Sequence, residues 1–428
     1  MKRYFPIIFL FAAAPLFIAG QTPAPAPAQQ QPVYIYGATA HLGNGQVIEN
    51  SAIAFDKGKI TFVGEAGNLR EGEGHLRINA TGKHIYPGFI APATNLGLVD
   101  IEAVRATRDF REVGSMNPNV RSLIAYNTDS EIIPTVRCRG VLLAQVRPEG
   151  GRISGLSSVV QLDAWNWEDA AYRADDGLFL NWPGLASYNR REQRLSTNKE
   201  YEKQVQEVRD FFAEAKAYLD NPAPAKDNLK YDALRPVLEG KTRLYVQAQE
   251  AREIMNAVQL AAEFNMKLAI VDGRDAWMVA DMLKAHDVAV VLRATQSLPA
   301  RVDSDVDQPF KTPALLQQAG LLFCFGMDGF WEQRNLPFQA GQAVGYGLDY
   351  EQAVAALTSN TARILGIGDR TGTLEVGKDA NLFISEGDAL DIRSSQLIRA
   401  FIQGREINLD NKQKALYRKF KAKYDEGR

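Results

Sequence analysis

Histidine is scarce in this chain: 428 residues contain four, at positions 41, 75, 84 and 286. Cysteine is scarcer still. Cys138 and Cys324 alone cannot make a disulfide framework for a protein of this length. Both fall in apolar, strand-like runs (residues 136–146 and 321–325), where buried free thiols are expected, and an oxidising compartment leaves one bridge as the alternative. No charge of one sign dominates: 49 basic against 51 acidic side chains leave a net charge of −2, without the electrostatic footprint that nucleic acid or an anionic membrane would demand. No Gly-x-Ser-x-Gly element occurs and neither cysteine has a histidine in a placeable position, so a serine or cysteine nucleophile is unsupported. The Gly-rich loop Gly150-Gly151-Arg152-Ile153-Ser154-Gly155 lacks the Gly-Lys-Ser/Thr ending of a phosphate-binding loop. Only one long apolar run exists, at residues 4–19, shorter than the ~20 residues that span a bilayer.

That run follows Lys2-Arg3 and ends in Ala19-Gly20, so residues 1–20 are read as a cleaved secretory signal. The protein is then expected to be exported, periplasmic or secreted, with no membrane span after cleavage. Residues 21–32 are rich in Pro, Ala and Gln, a composition that favours extended, solvated chain, and are read as a tether. From residue 33 to 85 short alternating strands are punctuated by Asn44-Gly45 and Asp56-Lys57-Gly58, the pattern of a small antiparallel β unit. After Pro87-Gly88 strands alternate with longer helical segments up to residue 370, which predicts βα repeats around a parallel sheet. Residues 371–410 return to β structure, and 411–428 form a basic tail helix. Hydrophobic content of 46% and charged content of 23% are ordinary for a globular chain of this size.

Two stretches carry a family resemblance. One is the segment from Glu351 to Ile367 followed by Thr371-Gly372-Thr373-Leu374-Glu375-Val376-Gly377-Lys378-Asp379-Ala380-Asn381-Leu382. The other is the strand Ile85-Tyr86-Pro87-Gly88-Phe89-Ile90-Ala91-Pro92-Ala93-Thr94-Asn95. Together with the β–βα–β order they resemble the metal-dependent amidohydrolase superfamily, nearest its imidazolonepropionase-like branch, over residues 33–410. The resemblance implies an α/β fold: a TIM-like (β/α)8 barrel against a composite β-sandwich built from both ends of the chain. It also implies a hydrolase acting on carbon–nitrogen bonds, with zinc as the expected metal.

The family's metal ligands are absent from the matching positions. Strand one offers Ala93 and Asn95 where the family has histidines; the strand after Leu244 ends in Gln247-Ala248-Gln249 instead of His-Ala-His; Asp272 stands in place of another histidine; and Asn381 replaces an aspartate of the C-terminal turn. Asp328 alone matches, as the family's metal-binding and proton-shuttling aspartate. None of the four histidines falls at the C-terminal end of a barrel strand, where such sites are built. No metal cofactor is therefore expected. The candidate site is Asp328 and Asp272 as residual acid/base groups, with Asn95 and Gln247 as ligand-binding amides. Asp163-Ala164-Trp165-Asn166-Trp167-Glu168 is read as a loop at the barrel mouth. Three readings stay open: a degenerate hydrolase that binds a small-molecule or peptide-like ligand or pairs with a related amidohydrolase; a hydrolase with altered, metal-poor chemistry centred on Asp328 and Asp272; and a structural or interaction protein of the cell envelope.

Overall fold

The computed structural model describes residues 24–68, 74–189, 193–221, 226–299 and 301–425. The expected leader, residues 1–20, lies outside them. Residues 24–32 form no helix or strand, yet they are held against the body. The Ala26 amide donates to Asp163 Oδ2 at 2.9 Å, Arg405 donates to the Ala26 carbonyl at 3.0 Å, and Gln29 bridges the Gly58 amide and the Phe55 carbonyl.

The chain opens with β1 (Val33–His41), β2 (Val47–Asp56), β3 (Lys59–Glu65), β4 (Leu76–Asn79) and β5 (His84–Pro87). It continues with β6 (Phe89–Thr94), β7 (Val141–Val146), β8 (Ile153–Gln161), β9 (Ala171–Asn181), the hairpin β10 (Ala186–Asn189) and β11 (Arg194–Thr197), β12 (Arg243–Ala248), β13 (Lys267–Asp272), β14 (Ala289–Leu292) and β15 (Phe323–Phe325). It closes with β16 (Leu382–Ser385), β17 (Leu397–Ile402) and β18 (Arg405–Glu406). The first and last groups share one sheet in the order β18-β17-β16-β5-β1-β2-β3, with β4 also on β1. Both chain ends thus build the composite unit, as the alternation at residues 33–85 and 371–410 predicts.

The middle group closes into a nearly complete eight-stranded barrel in the order β15-β14-β13-β12-β9-β8-β7-β6. Strands β12 to β14 are apolar runs buried on both faces, since helices cover the outside and side chains fill the lumen. The helix Ala251–Glu263 illustrates the outer layer. A reciprocal capping box between Glu250 and Glu253 starts it, and Ile254, Ala257, Val258 and Ala261 form its buried stripe. Inside the barrel Phe179 and Tyr245 stack at 4.8 Å among Leu143, Val291 and Cys324, and the short helix Ser359–Ile364 packs into the same cluster. Cys324 is fully buried, which pushes its thiol up to about 12, and both cysteines are free.

The barrel departs from eight parallel βα units at β8. It pairs antiparallel with both β7 and β9, whereas the other neighbours are parallel. The cause is loop length: only residues 147–152 join β7 to β8, too few for a crossover helix, which needs a dozen or more. The Gly-rich loop is therefore a hairpin turn, with Gly150 and Gly151 at φ 83° and 65°.

Barrel and composite sheet meet at Asp379, in the Gly-Lys-Asp-Ala-Asn turn. Its carboxylate is buried; Lys59 of β3 approaches at 2.6 Å and Arg370 at 3.2 Å, and the hydroxyl of Tyr172 on β9 donates to it. Arg370 also lies 3.8 Å over the Tyr172 ring. Asn381 suits the spot because an amide works both ways: it donates to Thr371 Oγ1 at 3.0 Å and accepts from the Gln403 amide at 2.8 Å. Burial alone would raise the Asp379 pKa, but Lys59, Tyr172 and Arg370 outweigh it and hold the carboxyl below its ordinary value. Its stabilisation is complete above the ordinary carboxyl pKa and is lost as pH falls through the lowered folded value. Replacing Asp379→Ala removes the partner of two solvent-reached cations and leaves the buried Tyr172 hydroxyl without its acceptor, and a loss of about 2 kcal/mol is expected at pH 7. Urea unfolding of both proteins should show the gap narrowing as pH drops below about 4; an equal gap at pH 7 and pH 3 would refute this account.

Candidate functional site

The C-terminal ends of β6, β7, β9 and β12 to β15 form the barrel mouth. Asp272 ends β13 in the left-handed region, at φ 75°, and is 5% exposed. Its Oδ2 accepts from Gln247 Nε2 at 2.9 Å and from Gln249 Nε2 at 3.3 Å. Gln249 in turn accepts from Arg274 at 3.2 Å. Gln247 and Gln249 therefore both turn amide N–H groups toward Asp272.

Asp328 belongs to a different contact. It is half exposed, and its Oδ2 lies 2.7 Å from Nη2 of Arg293, the first residue beyond β14. Asn95 is 6% exposed just past β6, and its Oδ1 has no hydrogen-bond partner among the described residues. Its neighbour Thr94 donates to the Gly329 carbonyl at 2.9 Å, tying β6 to the loop that carries Asp328. Of the four candidates, then, Gln247 and Asp272 are in contact, Asp328 is engaged by Arg293, and Asn95 stands apart in the interior.

Ala93, where a metal-binding side chain would begin, has φ 52°, and its backbone is held from within the barrel. Its amide donates to Gln145 Oε1 at 3.1 Å, and its carbonyl accepts from Arg147 Nε at 3.1 Å. Gln145 passes the chain on to Asp176 Oδ2 at 2.7 Å, while Ser157 donates to Asp176 Oδ1 at 2.8 Å. Asp176 is fully buried, and the loss of water pushes its carboxyl up to about 6 against the pull of Ser157 and Gln145.

These donors do not fit zinc. Alanine has no donor atom, the two glutamine N–H groups face a carboxylate, and Asp328 faces a guanidinium. Among the described residues no three His, Cys, Asp or Glu side chains are grouped to hold a metal ion.

Beside Asp272 opens a cavity of about 550 Å³ that sequence reasoning missed. Trp277, Met278 and Leu292 supply apolar wall, and Arg274, Arg293 and Arg301 supply charge. Its anchor is the buried Asp275, which binds Arg301 and accepts from the Ala251 amide at 3.3 Å. Arg293 was findable as the first polar residue after an apolar strand. Asp275 was not, since its partner comes from a distant loop. The Asp163 loop is a correction: because β8 runs backwards, residues 162–170 sit at the opposite end of the barrel from the mouth. Asp163 is a buried ion partner of Arg137 and Arg405, and Trp165 is exposed there.

Residues 204–414 match the amidohydrolase family. That stretch, just under half of the chain, is an amidohydrolase-family domain. A solved amidohydrolase from Thermotoga maritima superposes with a TM-score of 0.78 over 88% of this chain and 99% of its own, at 24% identity, a likeness of fold. An imidazolonepropionase from Syntrophobacter fumaroxidans is 44% identical over 54 residues, 12% of this chain and 13% of its own. The amidohydrolase tasK from Hapsidospora irregularis is 22% identical over 184 residues, 42% of this chain and 18% of its own. The chain spans less than a fifth of the length of these curated relatives. In the amidohydrolase fold sites form at strand C-termini, the end where Asp272 and the cavity beside it lie.

The buried Asp176 gives a pH test of this interior. Its folded pKa is raised, so the unfolded chain releases its proton first and stability falls as pH climbs from about 4 to about 6. Asp176→Asn should lack that decline. Relative to the parent it should gain about 3 kcal/mol between pH 4 and pH 7 in urea unfolding. Parallel curves for the two proteins would mean that Asp176 does not titrate in this range.

Proposed function

We propose that this amidohydrolase-family protein is a degenerate hydrolase that binds a small polar or peptide-like ligand at the barrel mouth without zinc-dependent turnover. The observation that carries the reading is the contact of Gln247 and Gln249 with Asp272: groups at the ligand positions satisfy one another instead of converging on an ion. Metal catalysis needs ligated water made acidic by the cation, and a site of amides and alanine offers that cation no seat. The cavity beside Asp272 has a size suited to a small ligand, with an indole for stacking and charged rims for orientation. The resemblance of the sequence to the imidazolonepropionase-like branch puts cyclic amides and small peptides first among the compounds to try. A working acid/base pair of Asp272 and Asp328 is less well supported, because one is held by amides and the other by Arg293.

Export to the periplasm or medium, read from Lys2-Arg3 and residues 4–19, belongs to the same proposal. So does pairing with a catalytically complete amidohydrolase. Elemental analysis of the purified protein is expected to find zinc, nickel and iron below stoichiometric amounts. Calorimetry against lactams and dipeptides should find binding without product, and Trp277→Ala should weaken that binding about tenfold through lost stacking. Stoichiometric metal, or turnover that disappears in Asp328→Ala, would replace this reading with the enzymatic one.

A further inference from the structure

The helix Lys412–Asp425 packs none of its residues into the body: all fourteen are exposed. Four of them are large and apolar, Leu416 at 44%, Tyr417 at 66%, Phe420 at 50% and Tyr424 at 68% exposure. At 100° per residue they fall within one arc of about 100°. Lys412, Lys419 and Lys423 flank one margin of that arc, and Lys414 and Lys421 flank the other. The helix carries six basic side chains and one acid, a charge of +5, in a chain whose total is −2. The base of the helix is fastened by Lys412 to Glu131 at 2.5 Å, by Gln413 to Thr135 at 2.9 Å and by Arg418 to Asp410. The stripe is therefore presented outward and not folded back.

The stripe runs into a groove between the helix and the body. Tyr417 and Lys414 form one wall, and Trp331 and Arg334 stand on the other. Ser395 lines the same groove; the residue is 8% exposed, and its hydroxyl has no hydrogen-bond partner among the described residues. An indole, tyrosines and a phenylalanine beside lysines are the side chains that settle at a bilayer interface, with apolar bodies at the acyl boundary and charges among headgroups.

We propose that this helix, with the groove at its base, is a docking surface for an anionic phospholipid bilayer. The charge pattern selects that occupant. A second copy would bring lysines at both margins against lysines, whereas a layer of phosphates meets both margins with opposite charge. The remainder of the chain carries −7, so the helix concentrates positive charge at one end of an otherwise acidic chain. The balance over the whole chain hides what one helix concentrates.

Co-sedimentation of the full chain with vesicles tests this. Binding is expected to phosphatidylglycerol–phosphatidylcholine vesicles, to be far weaker to phosphatidylcholine alone, and to fade with added salt. The triple variant Lys419→Gln, Lys421→Gln, Lys423→Gln should bind roughly fivefold more weakly per lysine. Phe420→Ser with Tyr424→Ser should abolish the salt-resistant remainder. Both variants leave the body untouched, so an unchanged main unfolding transition confirms that they fold. Binding that neither variant alters would overturn the proposal, as would equal binding to neutral vesicles. A concentration-dependent dimer that both variants abolish would assign the stripe to a second copy and likewise overturn it.

Discussion

Asp379 is the point on which the two halves of the molecule turn. One buried carboxylate accepts from Tyr172 of the barrel and binds Lys59 of the composite sheet and Arg370 of the linking segment. A charge in that position is tolerable because its oxygens are answered from three separate elements, which backbone bonds such as that from the Ile60 amide to the Lys378 carbonyl also hold together. The composite sheet is correspondingly able to draw strands from both ends of the chain. Asn381 completes the junction as a two-way polar group where a carboxylate could only accept.

At the mouth amides carry the polar contacts. In a metal site, ligand atoms are mutually repulsive until the cation arrives; here the side chains attract one another. Gln247 and Gln249 donate, Asp272 accepts, and Arg274 caps the run. Deeper in the barrel, Gln145, Ser157 and Asp176 do the same around the backbone of Ala93. These two clusters hold together through their own hydrogen bonds, and introducing a histidine into either would disturb a network as well as add a ligand.

Much of the fold was legible in sequence because it rests on local signals. The Asn-Gly and Asp-Lys-Gly turns, the apolar runs at 244–248, 268–271 and 288–292, and the Gly-Lys-Asp-Ala-Asn turn each correspond to an element in place. The reversal of β8 was not legible from periodicity, since a buried strand reads the same in either direction. It follows instead from the short span between Val146 and Ile153, a matter of chain length. Misreading that direction also sent the Asp163 loop to the wrong end of the barrel. For the site, Asn95, Gln247, Asp272 and Asp328 could be named one by one as candidates. Which side chains touch was not legible, because Asp328 meets Arg293 and Asp275 meets Arg301 through partners drawn from separate loops.

The composite sheet has a consequence for how the molecule is made. Strand β5 has its outer neighbour in β16, where Pro87 pairs with Leu382 across the whole intervening barrel. A chain emerging from its N-terminus therefore holds β5 with an open edge until nearly all of the protein has been synthesised. Contacts of such sequence separation form late and slowly, and an open edge recruits other strands. Completion of the sheet is thus a signal that the chain is whole: a truncated copy keeps a sticky edge, and only the finished one can hide it.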